Sequence, residues 1–258
     1  MNSISAKNVY SVVDIKVQVP FTYKQVLTCK ALKFIAEIHL NFNDRRLELL
    51  SIREEKNGSS KNGSVNFSNL NSFSDRKIRV FGINENELIR KSLVENSNLI
   101  VVDFKNQNTP SWSGLVETQL SLKEIINSNH TDVSFESEQS QDFAVKEMPI
   151  VVCGRDLDDD EINFHVAKVP LSASFFDYGL YLFHNAKHIA ASGSAPVVFI
   201  PNIVNYYEAK FWNEFFLFVE QELELETGSI KAIVSIDDKL PEFEKRHIKE
   251  ELDEHLIS

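Results

Sequence analysis

The chain has 258 residues, 43% of them apolar and 25% charged, with a formal net charge of −11, a length that suits one large domain or two smaller ones. Two cysteines, Cys29 and Cys153, are too few for a disulfide framework, the N-terminus does not read as a secretory signal, and no apolar run approaches the ~20 residues of a membrane helix. The acid excess repels phosphate backbones and anionic lipid, so neither nucleic acid nor a membrane is an expected partner.

Residues 25 to 56 carry apolar positions close to a 3.6-residue period, among them Leu32, Ile35, Ile38, Phe42 and Leu49. With Thr28 placed as a cap, this predicts helix, in two successive pieces. From Asn57 to Ser74 the composition turns to Asn, Ser and Gly, with Asn57-Gly58 and Asn62-Gly63 as turn signals, so a linker is expected. Four apolar runs follow: Leu99 to Val102, Ile150 to Val152, Val197 to Ile200 and Ala232 to Val234. Amphipathic segments lie between the later ones, from Ser174 to Ala191 and from Tyr207 to Leu223, and Leu115 to Ile126 is also helical in pattern. A last helix is expected within Pro241 to His255. Continuous apolar, largely β-branched runs alternating with helices predict a parallel α/β sheet covered on both faces. The division follows as 1–74, helical segment plus linker, and 75–258, the α/β domain. Charge is skewed: between Glu220 and Ser258 twelve acids face five bases, so −7 of the −11 falls there.

Few motifs carry chemistry on their own. No glycine pattern cradles a phosphate. Asp156, Asp158 and Asp160 begin like a calcium loop, but Glu161 stands where such a loop needs glycine and Ala167 where it needs a bidentate Glu, which leaves a solvated turn. His184 and His188 are spaced i, i+4, as two ligands of one metal would be, without an evident third; packing or capping is the alternative. Cys153 beside Arg155 has the setting of an activated thiolate, against the alternative of a small buried residue closing a strand.

Several segments together resemble malate synthase. Leu27 to Phe42 (LTCKALKFIAEIHLNF) and Asn43 to Arg53 look like that family's N-terminal helical clasp. Asp103-Phe104 with Thr109-Pro110-Ser111-Trp112 resembles its D-F-E-D-S-x-S-P-T-W segment, and Pro170 to Asn185 (PLSASFFDYGLYLFHN), Pro201, Glu208 to Asn213 and Gly228 to Ala232 follow in the family's order. The resemblance implies a (β/α)8 barrel in which acetyl-CoA condenses with glyoxylate, with Mg²⁺ and no other cofactor. An Asp base, an Arg on the oxyanion and a Glu and an Asp on the metal would do the chemistry. The resemblance further implies a truncated, half barrel of about four parallel strands behind an N-terminal helical segment.

Barrel sites lie at the C-terminal ends of strands, and there the sequence departs from the family pattern. D-F-E-D reads Asp103-Phe104-Lys105-Asn106. R-P-R-G-W-H reads Cys153-Gly154-Arg155-Asp156-Leu157-Asp158, so Cys153 stands where the family's oxyanion Arg stands. P-K-M-E reads Pro201-Asn202-Ile203-Val204, and the metal-holding Glu of I-E-T-L aligns with Asp237. The second metal carboxylate and the base are expected beyond Ser258. No catalytic set is intact, Asp103, Cys153 and Arg155 being its equivalents and Asp237 the one metal-position carboxylate. The expectation is a non-catalytic member of the family serving as a binding or scaffold subunit, with no cofactor. The alternative is residual malate synthase or another acyl-CoA reaction, completed by a partner chain, using Mg²⁺ and acetyl-CoA with Asp103, Arg155, Asp237 and Asp238 as carriers. A further alternative is an expressed remnant without a function. A half-barrel would leave two open edges and a bare apolar face, so a protein partner or self-association, two halves facing each other, is expected to cover them. The last residues are not a peroxisomal signal, and cytoplasm, with the nucleus as alternative, is the expected compartment.

Overall fold

The computed structural model describes residues 12–57, 67, 70, 77–94, 98–105, 110–128 and 150–257. Apart from Asn57, Phe67 and Leu70, the expected linker from Asn57 to Ser74 lies outside the described residues, as do Asn106 and Thr109 of the motif segments. A short strand β1 (Val13–Ile15) leads into one long helix, α1 (Cys29–Asn57). The two pieces expected there are one, because no Gly or Pro interrupts the run. Thr28 Oγ1 caps it, accepting from the Ala31 N–H at 3.1 Å.

The main sheet is built from β2 (Lys77–Gly82), β3 (Asn98–Asp103), β4 (Ile150–Cys153), β7 (Val197–Ile203) and β8 (Lys231–Ile236), all parallel and in that order. Between them run helices α2 (Asn86–Val94), α3 (Trp112–Ser128), α4 (Ala173–Ala191) and α5 (Tyr206–Glu222), with α6 (Glu242–Glu251) after β8. The sheet is open, the arrangement of a partial TIM barrel. Among the described residues it holds five strands, where about four were expected. The missed strand, β2, is an edge strand: Arg79 and Val80 are exposed and a cation breaks its apolar run, so it lacks the continuous pattern of a strand buried on both faces. A second sheet was also missed, the antiparallel order β1, β5 (Asp160–Val166), β6 (Val169–Ser172). Its hairpin turns at Ala167 and Lys168, with φ of 49° and 70°, at residues that give none of the usual Asn-Gly signal.

Alternation divides the strands between two cores. Ile100, Val102, Ile150, Val152, Val198 and Ile200 face the helices and join one large core with α1, α4 and α5. There α1 approaches α4 closely: a Cβ at Gly179 would lie 3.3 Å from Ile38 Cδ1 and 3.4 Å from Ile35 Cγ1. Phe42 meets Phe211, Phe215 and Phe218 with ring centroids 5.4–5.7 Å apart. Leu99, Val101, Val151, Cys153, Val197, Phe199 and Ile233 face the other way and are buried as well. That face, expected bare, packs against Phe67, Leu70 and Ile257, with the Phe67 ring 5.2 Å from that of Phe199.

The two sheet edges also differ from expectation. At β8, the Ala232 N–H donates to the His255 carbonyl at 2.6 Å and the Ile257 N–H to the Ala232 carbonyl at 3.0 Å. Leu256 thereby pairs parallel with Ala232, so the β8 edge is occupied at this point. The outer edge of β2 has no strand partner among the described residues. Among the described residues, no helix is long and apolar enough to cross a membrane.

Candidate functional site

In a parallel sheet all the strand C-termini open on one side, and the loops leaving β3, β4, β7 and β8 share that side here. Arg155, two residues beyond β4, does not face that opening. Its backbone N–H and Nε donate to Asp177 Oδ2 at 2.9 and 3.0 Å, its Nη2 to Asp177 Oδ1 at 2.9 Å, and its Nη1 to Glu161 Oε2 at 2.8 Å. This forked grip holds the guanidinium between α4 and β5, with all three residues buried. Burial alone would lower its pKa; Asp177, then Glu161, overcome that and raise it. The direction follows from backbone geometry. A Cβ on Gly154 would lie 2.7 Å from the Tyr178 ring, so only glycine lets the chain leave β4 along this path. Tyr178 itself is fixed by donating to the Phe199 carbonyl at 2.6 Å.

The open side is acidic. Asp103 ends β3 and accepts from the Lys105 N–H at 2.9 Å. Burial pushes its carboxyl above the usual range. Burial, then the charges of Asp103 and Asp156, push the Cys153 thiol well up, so Cys153 is not the activated thiolate its neighbour Arg155 suggested; it is the small buried residue closing a strand. Lys105 forms an ion pair with Asp156 across the β3 and β4 loops. Asp156, Asp158 and Asp159 bring carboxylate oxygens within 4.8 Å of one another. Burial, then repulsion from Asp156 and Asp158, raises the Asp159 carboxyl. The apparent calcium-loop start is therefore a crowded turn whose first carboxylate is engaged by an ammonium.

Helix α1 holds these loops from behind. Arg46, nearly fully buried, donates Nε to the Leu157 carbonyl at 2.6 Å, and Nη2 to the Asp159 carbonyl at 3.3 Å and Asp160 Oδ1 at 2.8 Å. Arg53 grips both oxygens of Glu208 and the Asn202 carbonyl at 3.1 Å. Asn202 has φ of 55°, a left-handed conformation that Asn tolerates better than most residues. Glu208 also accepts from the Val204 N–H at 3.1 Å, while its own N–H donates to Asn205 Oδ1 at 3.0 Å, which together cap α5.

Asp237 follows β8, half-buried, and its Oδ1 accepts from the Lys239 N–H at 2.9 Å. Among the described residues it belongs to no cluster of three potential metal ligands, and Asp238 beside it is exposed. Asp237 is the carboxylate here at a position where the resemblance implies a metal ligand. His184 is no ligand: its Nε2 bonds the Val26 carbonyl at 2.7 Å, and burial lowers its pKa to about 4.

The sequence named Asp103, Cys153, Arg155 and Asp237, and all four lie at strand ends. It missed Asp177 and Glu161, which hold Arg155, and Glu208, which holds Arg53. Asp177 and Glu208 carried a signal: a carboxylate inside an otherwise apolar helical run, and an Asn205-x-x-Glu208 capping pattern. The reach of Arg46 and Arg53 from α1 carried none.

Two family models match this sequence: the malate synthase N-terminal domain over residues 11–65 and the malate synthase TIM barrel domain over 150–258. Similar curated proteins include malate synthase of Myxococcus xanthus, 30% identical over 90% of this chain and 46% of its own length. Malate synthase A of Escherichia coli is 26% identical over 91% and 47%. The bifunctional glyoxylate cycle protein of Caenorhabditis elegans is 27% identical over 91% and 26%. The chain spans about half the length of the malate synthases it matches.

Proposed function

The chain belongs to the malate synthase family, and on that premise we propose that it does not itself condense acetyl-CoA with glyoxylate but serves as a binding or scaffold subunit of a protein complex, without a cofactor. The observation that carries this reading is the engagement of Arg155. The guanidinium two residues beyond Cys153, which takes the position of the family's oxyanion Arg, is turned between α4 and β5 and holds two buried carboxylates. Releasing it toward a substrate would leave Asp177 and Glu161 buried and uncompensated, a cost of about 3–5 kcal/mol.

A second observation supports it. Lys105 and Asp156 both depart from the family motifs, at its Glu and its Gly, and they pair with each other. Two departures that fit together are those of a rebuilt loop pair, and they weigh against a decaying remnant. The core around them is intact.

The partner surface favoured is the outer edge of β2, where Val80 is 37% exposed and no described strand pairs. The cytoplasm is the compartment this reading assumes. Residual condensation completed by a partner chain is the competing reading, favoured by the placement of Asp103 and Asp237 at strand C-terminal ends.

The test is an assay of the purified chain for coenzyme A thiol release from acetyl-CoA with glyoxylate and Mg²⁺, alone and with proteins captured from the native cell. The expected result is no release above the blank, and a captured protein of fixed stoichiometry lost on Val80→Asp. Saturable turnover abolished by Asp237→Ala would instead establish the competing reading.

A further inference from the structure

The face of the main sheet turned away from the helix-side core is filled by side chains from outside the sheet. Asp103, Cys153, Phe199 and Ile233 stand in register across β3, β4, β7 and β8, and residues so paired send their side chains to one face. Cys153, Phe199 and Ile233 are buried there. Phe67 sets its ring 5.2 Å from that of Phe199, and Leu70, which joins the same cluster, is 1% exposed. Both are in 3₁₀ conformation, in which side chains three residues apart lie one above the other, so a single turn delivers both to the face. Ile257 packs on this side too, but it arrives beside β8, where its N–H donates to the Ala232 carbonyl at 3.0 Å.

The sheet and the turn that covers it are held very differently. The strands are fixed from their other face, where Ile100, Val102, Ile150, Val152, Val198 and Ile200 join the large core with α1, α4 and α5. The turn belongs to a stretch, 57–74, whose apolar residues are Val65, Phe67, Leu70 and Phe73; all the others except Lys61 are Asn, Ser or Gly. Such residues bring little apolar area to burial, and glycine loses the most conformational freedom when fixed. The gain from burying Phe67 and Leu70 is thus set against the ordering of the residues that carry them. Unfolding the sheet would instead uncover the whole core, so the two events differ widely in free energy.

We propose that Phe67 and Leu70 form a releasable plug on this face, one that leaves while the sheet and its helix-side core stay folded and that presents Cys153 and Phe199 to solvent when it does. The contact is autoinhibitory in form, since the chain's own turn occupies an apolar face that is otherwise open to another surface. Cys153, beside Phe199 in the covered row, stands where the family pattern has its oxyanion Arg, so the plug closes that position from the inner side of the sheet.

The Cys153 thiol reads the opening. Cys29 is exposed and Cys153 buried, so in a Cys29→Ser chain at fixed pH dithionitrobenzoate reports exposure of Cys153 alone, its thiolate displacing thionitrobenzoate from the reagent. Below the unfolding transition the labelling rate should change little with urea, as a small local opening does, and join the steep global dependence only near the midpoint. Phe67→Ala with Leu70→Ala should raise the rate at low urea by about tenfold or more, while Ile257→Ala should leave it nearly unchanged. Where the double variant fails to fold, Phe67→Leu, which only trims the ring, should still speed labelling. A rate that follows global unfolding at every urea concentration would overturn the proposal. So would a rate that the Phe67 and Leu70 substitutions leave unchanged, or one that Ile257→Ala raises equally.

Discussion

Two groups of charge meet where β4 ends, and they are built on opposite principles. Behind the strand, Arg155 satisfies Asp177 and Glu161 with four hydrogen bonds in a space closed to water. In front, Asp156, Asp158 and Asp159 crowd one turn, and Lys105 pairs with Asp156. Charges bought out of water must be completed, while charges left near it are merely screened. Cys153 stands where the family pattern has its oxyanion Arg, the guanidinium two residues on is held in the back, and the front keeps an acidic turn with one carboxylate paired.

The sharpest way to break this comparison is to remove its center. Arg155→Met should lose about 3–5 kcal/mol in urea unfolding, because two carboxylates remain buried without a partner. A loss below about 1 kcal/mol would mean that the pair is not what holds the loop. Adding Asp177→Leu and Glu161→Gln to that variant should recover part of the loss.

Acid should act next, and mostly on the buried side. His39 and His184 fall from 6.5 in the unfolded chain to about 4 in the folded one, in each case chiefly through burial. Their neutral forms favour folding fully above pH 6.5, and the unfolded chain alone takes up protons below it. Stability should thus fall between pH 6.5 and about 4, by up to ~1 kcal/mol per pH unit for each, allowing for solvent near the half-buried His184. The carboxyls of Asp103 and Asp159 are raised instead and work in the opposite sense, adding stability as pH drops through their range. Unfolding curves of wild type and His184→Gln across this range measure the difference; equal slopes would rule out the His184 contribution.

Gly154→Ala should cost about 1–3 kcal/mol by pressing a methyl into the buried Tyr178 ring, read as a shift in thermal midpoint without loss of cooperativity. The smallest effect belongs to the front. Asp159→Asn keeps the acceptor for the Asp156 N–H and removes one like charge, so it should stabilise by no more than ~0.5 kcal/mol, less at high salt.

How much of this was legible depended on the kind of pattern. Strands buried on both faces announce themselves as continuous apolar runs, and β3, β4, β7 and β8 were found that way. The edge strand β2 and the β5–β6 hairpin were not, since one is half wet and the other turns at Ala167 and Lys168 without a turn motif. The site was legible as positions but not as directions. Asp103, Cys153, Arg155 and Asp237 fall at strand ends as the sequence placed them. That Arg155 points back depends on Gly154, Tyr178 and Asp177, residues brought together by packing between β4 and α4. The covering of the second sheet face by Phe67, Leu70 and Ile257 joins parts of the chain far apart in sequence, which no local pattern encodes.

The guanidinium of Arg155 offers the most direct test of whether the site has turned away from its family's chemistry. Its Nε–H resonance can be followed while glyoxylate and Mg²⁺ are titrated into the purified chain. A resonance that stays in place and exchanges slowly throughout is the predicted result, since its proton lies on Asp177. A saturable shift of that resonance, with the proton released to solvent or substrate, would contradict the account.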